Sequence, residues 1–265
     1  MTTLVSFHAH PDDEAIACGG TLARAAAEGD RTVLVFATRG EHGEVPDGFL
    51  EPGEELGVRR EQEVHAAAEI LGVHRVEFLG YTDSGMMGTP ENDEPGSFWR
   101  ADPDEASARL ARILEEEKAD VLTIYDENGT YGHPDHIQVH RVGIAAARRA
   151  GVRKVYESVV DRDRARRWFE VSSTPEIAEL MGELEFPSPE EFESMGVPGE
   201  LVTTRVDVSR YLDRKRRAMA AHASQISETS FFLALPPPLF DAVWGQEDYV
   251  LRDAPMGTEE DWLLT

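Results

Sequence analysis

The chain has 265 residues, 41% of them hydrophobic, and carries a formal net charge of -25 at pH 7. This excess of negative charge argues against a nucleic-acid-binding protein and against binding to anionic membrane surfaces, because both partners would repel it. No apolar run approaches the roughly 20 residues needed to span a bilayer, and the N-terminal residues carry no basic leader, so we expect a cytoplasmic protein.

Apolar runs and helical segments alternate along the first part of the chain. Short apolar runs predict buried strands at residues 4–8, 32–37, 76–79, 120–125 and 154–158. Helices are predicted between them at residues 12–28, 58–71, 104–117 and 134–150. Strands separated by helices of this length predict an α/β fold with a mostly parallel sheet flanked by helices. In such a sheet, ligands bind beyond the carboxyl ends of the strands.

The alternation weakens in the last third of the chain. A strand is predicted at residues 201–208 and a helix at 208–223, and the three prolines at 236–238 are predicted to break the chain. We interpret residues 161–265 as a smaller C-terminal α+β region that completes the same catalytic domain as the core formed by residues 1–160.

Two His-Pro-Asp corners follow two of the predicted strands. The first is HAHPDDE at residues 8–14, directly after the first strand, and the second is YGHPDH at residues 131–136, after the fourth. Each places imidazole and carboxylate groups at the start of a helix, near a proline that suits the first helical position. An ordinary helix cap explains one such corner equally well. Two corners at one edge of the sheet favour a metal site.

A metal in this chain must be held by imidazole and carboxylate, because Cys18 is the only cysteine. Two imidazoles and one carboxylate leave coordination positions open, as in catalytic zinc sites. Water bound there has a pKa near 7 instead of about 15.7. Asp12, next to Asp13, is placed to take its proton. His8 could add a third imidazole, but its position in the strand favours a buried supporting residue.

The motifs AHPDDE and HPDH, with TRGEHGE, VRREQEVHAAAEILGV and YTDSGM between them, resemble the PIG-L/LmbE-like N-acetylglucosaminyl deacetylases. The likeness extends through residues 1 to about 155 and implies a Rossmann-like, zinc-dependent N-deacetylase that acts on a small amino-sugar substrate. Within the family, the chain is most similar to two actinobacterial enzymes of mycothiol metabolism, the deacetylase and the conjugate amidase. The stretch at residues 89–104 does not decide between them.

The resemblance also assigns the metal centre. It implies that His10, Asp13 and His136 bind the ion and that Asp12 is the general base. The ligand set suits Zn2+, and Fe2+ or another divalent ion stays open.

Further roles follow from the same resemblance. His133 is expected to face the oxyanion or the leaving amine, with Asp135 holding His133 in orientation. Tyr131 is expected to contact the carbonyl oxygen. Arg60 and Asp83 match positions that bind the sugar, although Arg60 could equally pair with a carboxylate on its own helix. The residues leave open whether one group or an acid–base pair moves the protons.

Two other functions remain as alternatives. Two histidines and one carboxylate also form the triad of non-haem iron oxygenases, but that chemistry usually sits in an antiparallel barrel. A non-catalytic metal-binding or sugar-binding module is the second alternative, and the intact Asp12 argues against it. The sequence does not identify the acyl substrate, and it leaves open whether the protein forms a homo-oligomer.

Overall fold

The computed structural model of the chain describes residues 1–172, 174, 177 and 195–265, so part of the predicted C-terminal region, 161–265, lies outside the described residues. The described strands are β1 (Thr3–His8), β2 (Arg31–Phe36), β3 (Arg75–Phe78), β4 (Val121–Tyr125), β5 (Lys154–Val159), β6 (Thr204–Asp207) and β7 (Gln246–Leu251). They form one sheet in the order β3-β2-β1-β4-β5-β7-β6. The strands β1 to β5 pair in parallel, which confirms the predicted mostly parallel sheet.

The described helices are α1 (Asp13–Glu28), α2 (Leu56–Leu71), α3 (Pro103–Glu117), α4 (Gly129–Gly132), α5 (Pro134–Ala150), α6 (Arg162–Ser172), α7 (Leu212–Ala221), α8 (Phe231–Ala234) and α9 (Pro237–Trp244). Every strand and helix predicted before residue 160 is present, with its ends within two residues of the prediction. None of the helices in the described part of the chain is long and apolar enough to cross a membrane.

Two buried apolar clusters cover opposite faces of the sheet, because successive strand residues point to opposite sides. Leu4 and Leu34 belong to the cluster that includes side chains of α1, α2 and α7. Val5 and Val33 belong to the other cluster, which includes side chains of α3 and α5. The sheet is thus flanked by helices on both faces, as predicted.

The C-terminal region adds strands to the same sheet. β7 pairs antiparallel with β5, and β6 pairs antiparallel with β7 at the edge. The predicted strand and helix after residue 200 are present as β6 and α7, both shorter than expected. α9 and β7 were not predicted. The three prolines do not simply break the chain, since Pro237 is the first residue of α9, where a missing N–H leaves no hydrogen bond unmade.

Helix α1 is interrupted at Cys18, whose φ of -143° and ψ of 18° are not helical. The interruption frees backbone groups on both sides, and a buried ion pair from the C-terminal region satisfies them. Glu247 accepts the N–H of Thr21 and that of the preceding residue, both at 2.8 Å. Lys215 donates from Nζ to the carbonyl of Ile16 at 2.9 Å and to Glu247 at 2.6 Å. The C-terminal region therefore completes the helix that begins at the first His-Pro-Asp corner.

A charge cluster lies far from that corner, where α3 ends beside the beginning of β2. Arg31 donates from Nε to Glu117 at 2.5 Å, and Arg75 donates from Nη1 to the same carboxylate at 2.7 Å. The hydrogen bond from Arg31 lowers the pKa of Glu117 to about 2, against the effect of burial and with further help from Arg75. A carboxylate with a lowered pKa stabilises the folded protein only while it is ionised.

We therefore expect Glu117→Gln to lower the free energy of unfolding at pH 7 by about 1.5–3 kcal/mol, the range for a hydrogen bond to a charged group. The difference in the free energy of unfolding between wild type and variant should shrink as the pH falls from about 4.5 to about 2. Over this range the wild-type carboxylate takes up a proton and becomes uncharged, like the amide of the variant. Urea unfolding at several pH values measures it. Glu116→Gln removes an exposed partner of Arg75 and is the matched control, with little expected change. Equal stability of Glu117→Gln and the wild type at pH 7 would contradict the assignment.

Candidate metal centre

The structure brings the two His-Pro-Asp corners together. β1 and β4 are neighbours in the sheet, so the segments that follow their carboxyl ends meet at one edge. Asp13 of the first corner connects it to the second, with Oδ2 3.6 Å from Nδ1 of His10 and Oδ1 3.4 Å from Nε2 of His136. The rings of His10 and His133 are 4.6 Å apart between their centroids. All four side chains line one cavity.

The two corners use their helix starts differently. At the second corner, Pro134 takes the first helical position and His133 is the cap, with Nδ1 accepting the N–H of Asp135 at 3.1 Å. At the first corner, Asp12 is the cap, so Pro11 lies one residue before it. Within the described residues, the Asp12 side chain makes no cap hydrogen bond. The ordinary cap interpretation therefore does not account for the carboxylate of Asp12.

His10 is surrounded by carboxylates. Its Nε2 lies 3.2 Å from Asp135 and 3.4 Å from Asp83. Burial alone would lower the pKa of His10, but Asp83 and Asp135 together hold it well above its ordinary value. Asp135 is itself held by Ser84, which donates from its backbone N–H at 2.9 Å and from Oγ at 2.5 Å. Ser84 was not predicted, although it lies in the YTDSGM stretch.

The carboxylates of the cluster stay ionised because the imidazoles face them. Burial alone would raise the pKa of Asp13, but His136 and His10 hold it well below its usual range. The pKa of Asp83 is lowered in the same way, since the attraction of His10 and the hydrogen bonds from two backbone N–H groups outweigh the effect of burial. Several negative charges thus converge on a buried space.

Asp12 and Arg60 form a second contact beside this space. Nη2 of Arg60 lies 3.4 Å from Oδ1 of Asp12 and donates to the carbonyl of Pro11. Nη1 of Arg60 donates to the carbonyl of Gly40 at 2.9 Å. Burial raises the pKa of Asp12 to about 6, although Arg60 opposes the rise. Arg60 lines the cavity, but its contacts tie it to Asp12 and to two backbone segments; its predicted role in sugar binding stays a prediction.

The structure shows how the residues of the second corner contact one another. The carboxylate of Asp135 contacts His10 and Ser84, so Asp135 orients His133 through its backbone N–H and not through its side chain. Because Nδ1 of His133 accepts this hydrogen bond, a neutral ring carries its proton on Nε2. Burial, with His10 and His136 nearby, lowers the pKa of His133 to about 3. Tyr131 is 43% exposed at the cavity, with its hydroxyl 3.5 Å from Nε2 of His136.

The donor set fits a divalent cation. Two groups bring one ligand atom per residue within 4.8 Å of one another: His10, His133 and His136 form the first, and His10, Asp83 and Asp135 the second. Nδ1 of His136 is buried and has no hydrogen-bond partner among the described residues. Imidazole and carboxylate are the ligands of catalytic zinc sites, and buried carboxylates at this density need a balancing positive charge.

Two further histidines, His8 and His222, are buried near the residues of the metal centre. His8 lies in β1, where Ser6 contacts Nε2 at 2.7 Å and Tyr125 contacts Nδ1 at 2.9 Å. This confirms its interpretation as a buried residue. His222 is fully buried, with Nε2 2.6 Å from Oε1 of Glu14. Sequence reasoning missed the role of Glu14, although it is the last residue of the AHPDDE motif.

The cavity above the cluster has a volume of about 970 Å³. The site residues line one part of it, and an aromatic group lines another part. Phe231 and Phe232 both contact Trp244, with ring centroids 5.8 and 5.9 Å away. Trp168 also lines the cavity. The cavity is therefore lined both by the polar residues of the metal centre and by aromatic side chains.

Comparisons with known proteins give a matching family model, relatives and solved structures. The PIG-L family model, described as GlcNAc-PI de-N-acetylase, matches residues 5–147. A 1D-myo-inositol 2-acetamido-2-deoxy-alpha-D-glucopyranoside deacetylase from Geodermatophilus obscurus is 43% identical, covering 98% of this chain and 95% of the relative. An N,N'-diacetylchitobiose deacetylase structure from Pyrococcus horikoshii superposes with a TM-score of 0.62 at 18% identity, covering 94% of this chain and 83% of that chain. A 4-carboxy-2-hydroxymuconate hydratase structure from Pseudomonas putida gives 0.60 at 20%, covering 98% and 99%, so the fold alone does not fix the reaction.

We expect the chain, after chelation and dialysis, to bind about one zinc ion per molecule, measured by elemental analysis and calorimetry. His136→Ala should weaken binding by more than the 10- to 100-fold typical of a lost supporting contact, because it removes a ligand atom. Asp135→Asn should weaken it by about 10- to 100-fold, since it changes only the support of His10. His65→Ala, at an exposed histidine of α2, is the control and should bind normally. Full zinc affinity in His136→Ala would exclude this centre.

Proposed function

The chain belongs to the PIG-L family of GlcNAc-PI de-N-acetylases, and on this premise we propose that it hydrolyses the amide of an N-acetyl amino sugar to acetate and a free amine. The observation that carries the proposal is the convergence of both His-Pro-Asp corners at Asp13. The carboxylate of Asp12, which makes no cap hydrogen bond, lies beside them. The names of relatives about 40% identical over nearly the whole chain support 1D-myo-inositol 2-acetamido-2-deoxy-alpha-D-glucopyranoside as the substrate.

We propose His10, Asp13 and His136 as the ligands of a divalent ion, with Zn2+ as the first choice and Fe2+ as the alternative. When bound, such an ion supplies Lewis-acid chemistry, which polarises an amide carbonyl and makes water more acidic. Asp135 keeps His10 in place, and Ser84 keeps Asp135 in place, so the cluster is held before any ligand arrives.

Asp12 is the proposed general base. Its carboxylate lines the cavity beside Asp13, and Arg60 holds it from the other side at 3.4 Å. It takes a proton from the attacking water while the water oxygen bonds to the carbonyl carbon of the substrate. When the carbon–nitrogen bond breaks, the same proton is transferred to the departing nitrogen, so that acetic acid and a neutral amine result. The acid then loses its remaining proton to solvent and becomes acetate.

His133 is the proposed donor to the oxyanion. Its Nδ1 is engaged by the backbone of Asp135, which leaves the Nε2 proton available for the negative oxygen of the tetrahedral intermediate. Loss of one such contact typically costs about 100- to 1,000-fold in turnover. Tyr131, Asp83 and Arg60 line the cavity and are the proposed contacts to the carbonyl oxygen and the sugar.

A second candidate is an amidase that cleaves amino-sugar amides on larger conjugates. The observation in its favour is the aromatic end of the cavity, formed by Trp168, Phe231, Phe232 and Trp244. Such a surface suits an apolar group attached to the sugar. For either enzyme we propose a cytoplasmic location and a small-molecule amino-sugar substrate.

We expect Asp12→Asn and Asp12→Ala to keep bound zinc but to lose about 100- to 10,000-fold in turnover, the usual contribution of a general base. His136→Ala should lose both zinc and activity. Amine release and metal content are measured on the same preparations, with His65→Ala as the control. Full activity in Asp12→Asn would show that another group takes the proton.

The substrate is tested by amine release from a panel after zinc or Fe2+ is restored to the chelated protein. The panel contains the inositol glucosaminide, simpler N-acyl glucosaminides, mycothiol-type conjugates with an aromatic group, and chitin fragments. We expect the inositol glucosaminide to give the highest kcat/KM. A conjugate that exceeds it, and that loses this advantage in Phe232→Ala, would favour the amidase. No amine from any compound with either ion would contradict the proposed function.

A further inference from the structure

Asp12 has a backbone conformation that its side chain does not favour. Its φ is 108° and its ψ is -34°, in a region that L-residues other than glycine rarely adopt. The carbonyl of Asp12 nevertheless accepts the first hydrogen bonds of α1, from Ala15 at 3.0 Å and Ile16 at 3.1 Å. Surrounding contacts must therefore hold this residue in place.

Glu14 supplies one of these contacts. Its Oε2 accepts the N–H of Asp12 at 3.0 Å, so the carboxylate reaches back to the strained residue at the helix start. Its Oε1 lies 2.6 Å from Nε2 of His222, which donates to it from the end of α7. The side chains of Glu14 and His222 are fully buried. Among the described residues, Nδ1 of His222 has no hydrogen-bond partner, so Glu14 receives the directed contact of the ring.

His222 is fixed by anchors that do not involve Asp12. Two residues further on, Ser224 donates to Glu63 of α2 from its N–H at 2.9 Å and from its Oγ at 2.7 Å. Gln225 donates to the carbonyl of Glu44 at 3.1 Å. The segment after α7 is thus fastened to α2 and to the loop after β2. These contacts hold His222 in position, and His222 in turn holds the carboxylate of Glu14.

We infer that Glu14 and His222 form a positioning pair that holds the backbone of Asp12, and with it the base, at the edge of the metal centre. The inference rests on the proposed role of Asp12. Neither member of the pair lines the cavity, so neither is expected to touch the substrate. Both act through one hydrogen bond to the N–H of Asp12. This role is separate from metal binding. Within the described residues, no side-chain hydrogen bond or ion pair joins Glu14 or His222 to His10, Asp13 or His136.

Kinetics of the zinc-loaded enzyme test the pair. Glu14→Ala should lower kcat by about 10- to 100-fold, because a displacement near 1 Å can cost about 100-fold. KM should stay within about two-fold and zinc content should be unchanged. Glu14→Gln should recover most of kcat, since its amide oxygen can still accept the N–H of Asp12. His222→Ala should lower kcat by about 5- to 20-fold, and the double variant should be no worse than Glu14→Ala.

Glu117→Gln is the control for stability alone. It removes a charged contact far from the centre and should lower Tm without changing kcat. If the pair were merely structural, its variants would behave in the same way. Unchanged kcat in folded Glu14→Ala would overturn the inference; if that variant does not fold, unchanged kcat in His222→Ala would do so.

A crystal structure of Glu14→Ala, or of His222→Ala, gives a readout that does not need activity. We expect Asp12 to leave its positive φ or its carboxylate to move by about 1 Å or more, while His10 and His136 stay in place. An unmoved Asp12 would overturn the inference. If the wild type releases no amine from any amino sugar, the proposed function fails, and this comparison still decides whether the pair positions Asp12.

Discussion

The contact of Asp13 with both His10 and His136 is the interaction on which the site depends. One carboxylate joins residues that are far apart in the chain, at 3.6 and 3.4 Å. It can do so because β1 and β4 run in parallel and side by side, so that the segments after them meet at the same edge. The remaining chemistry follows from this meeting, since imidazoles and carboxylates then enclose a space suited to a divalent cation.

Local patterns in the sequence were sufficient for most of the core. Apolar runs, helical segments and glycine stops set the strands and helices before residue 160, because these signals depend on near neighbours. The two His-Pro-Asp corners could also be recognised from neighbouring residues alone. Histidine, proline and aspartate occur there in an order that both begins a helix and presents metal-binding groups. To predict that the two corners meet, we needed only the assumption that β1 and β4 are neighbours in the sheet.

What the sequence did not yield depends on contacts between distant segments. β7 inserts between β5 and β6 with reversed direction, and no local signal specifies that order. His222 meets Glu14 across 208 positions of chain. Ser84 supports Asp135 only because the loop after β3 packs against the start of α5. The positive φ of Asp12 was missed for a related reason, since tertiary contacts hold a conformation that the residue itself disfavours.

The break in α1 at Cys18 makes the first helix dependent on the C-terminal region. The N–H groups beyond the break are satisfied by Glu247 of β7, and the carbonyl before it by Lys215 of α7. The residues up to the end of β5 include both His-Pro-Asp corners, yet they do not supply the partners of these backbone groups. A substitution at Glu247 or Lys215 is therefore expected to disturb the helix that begins at the first corner, although both residues lie far from it in the chain.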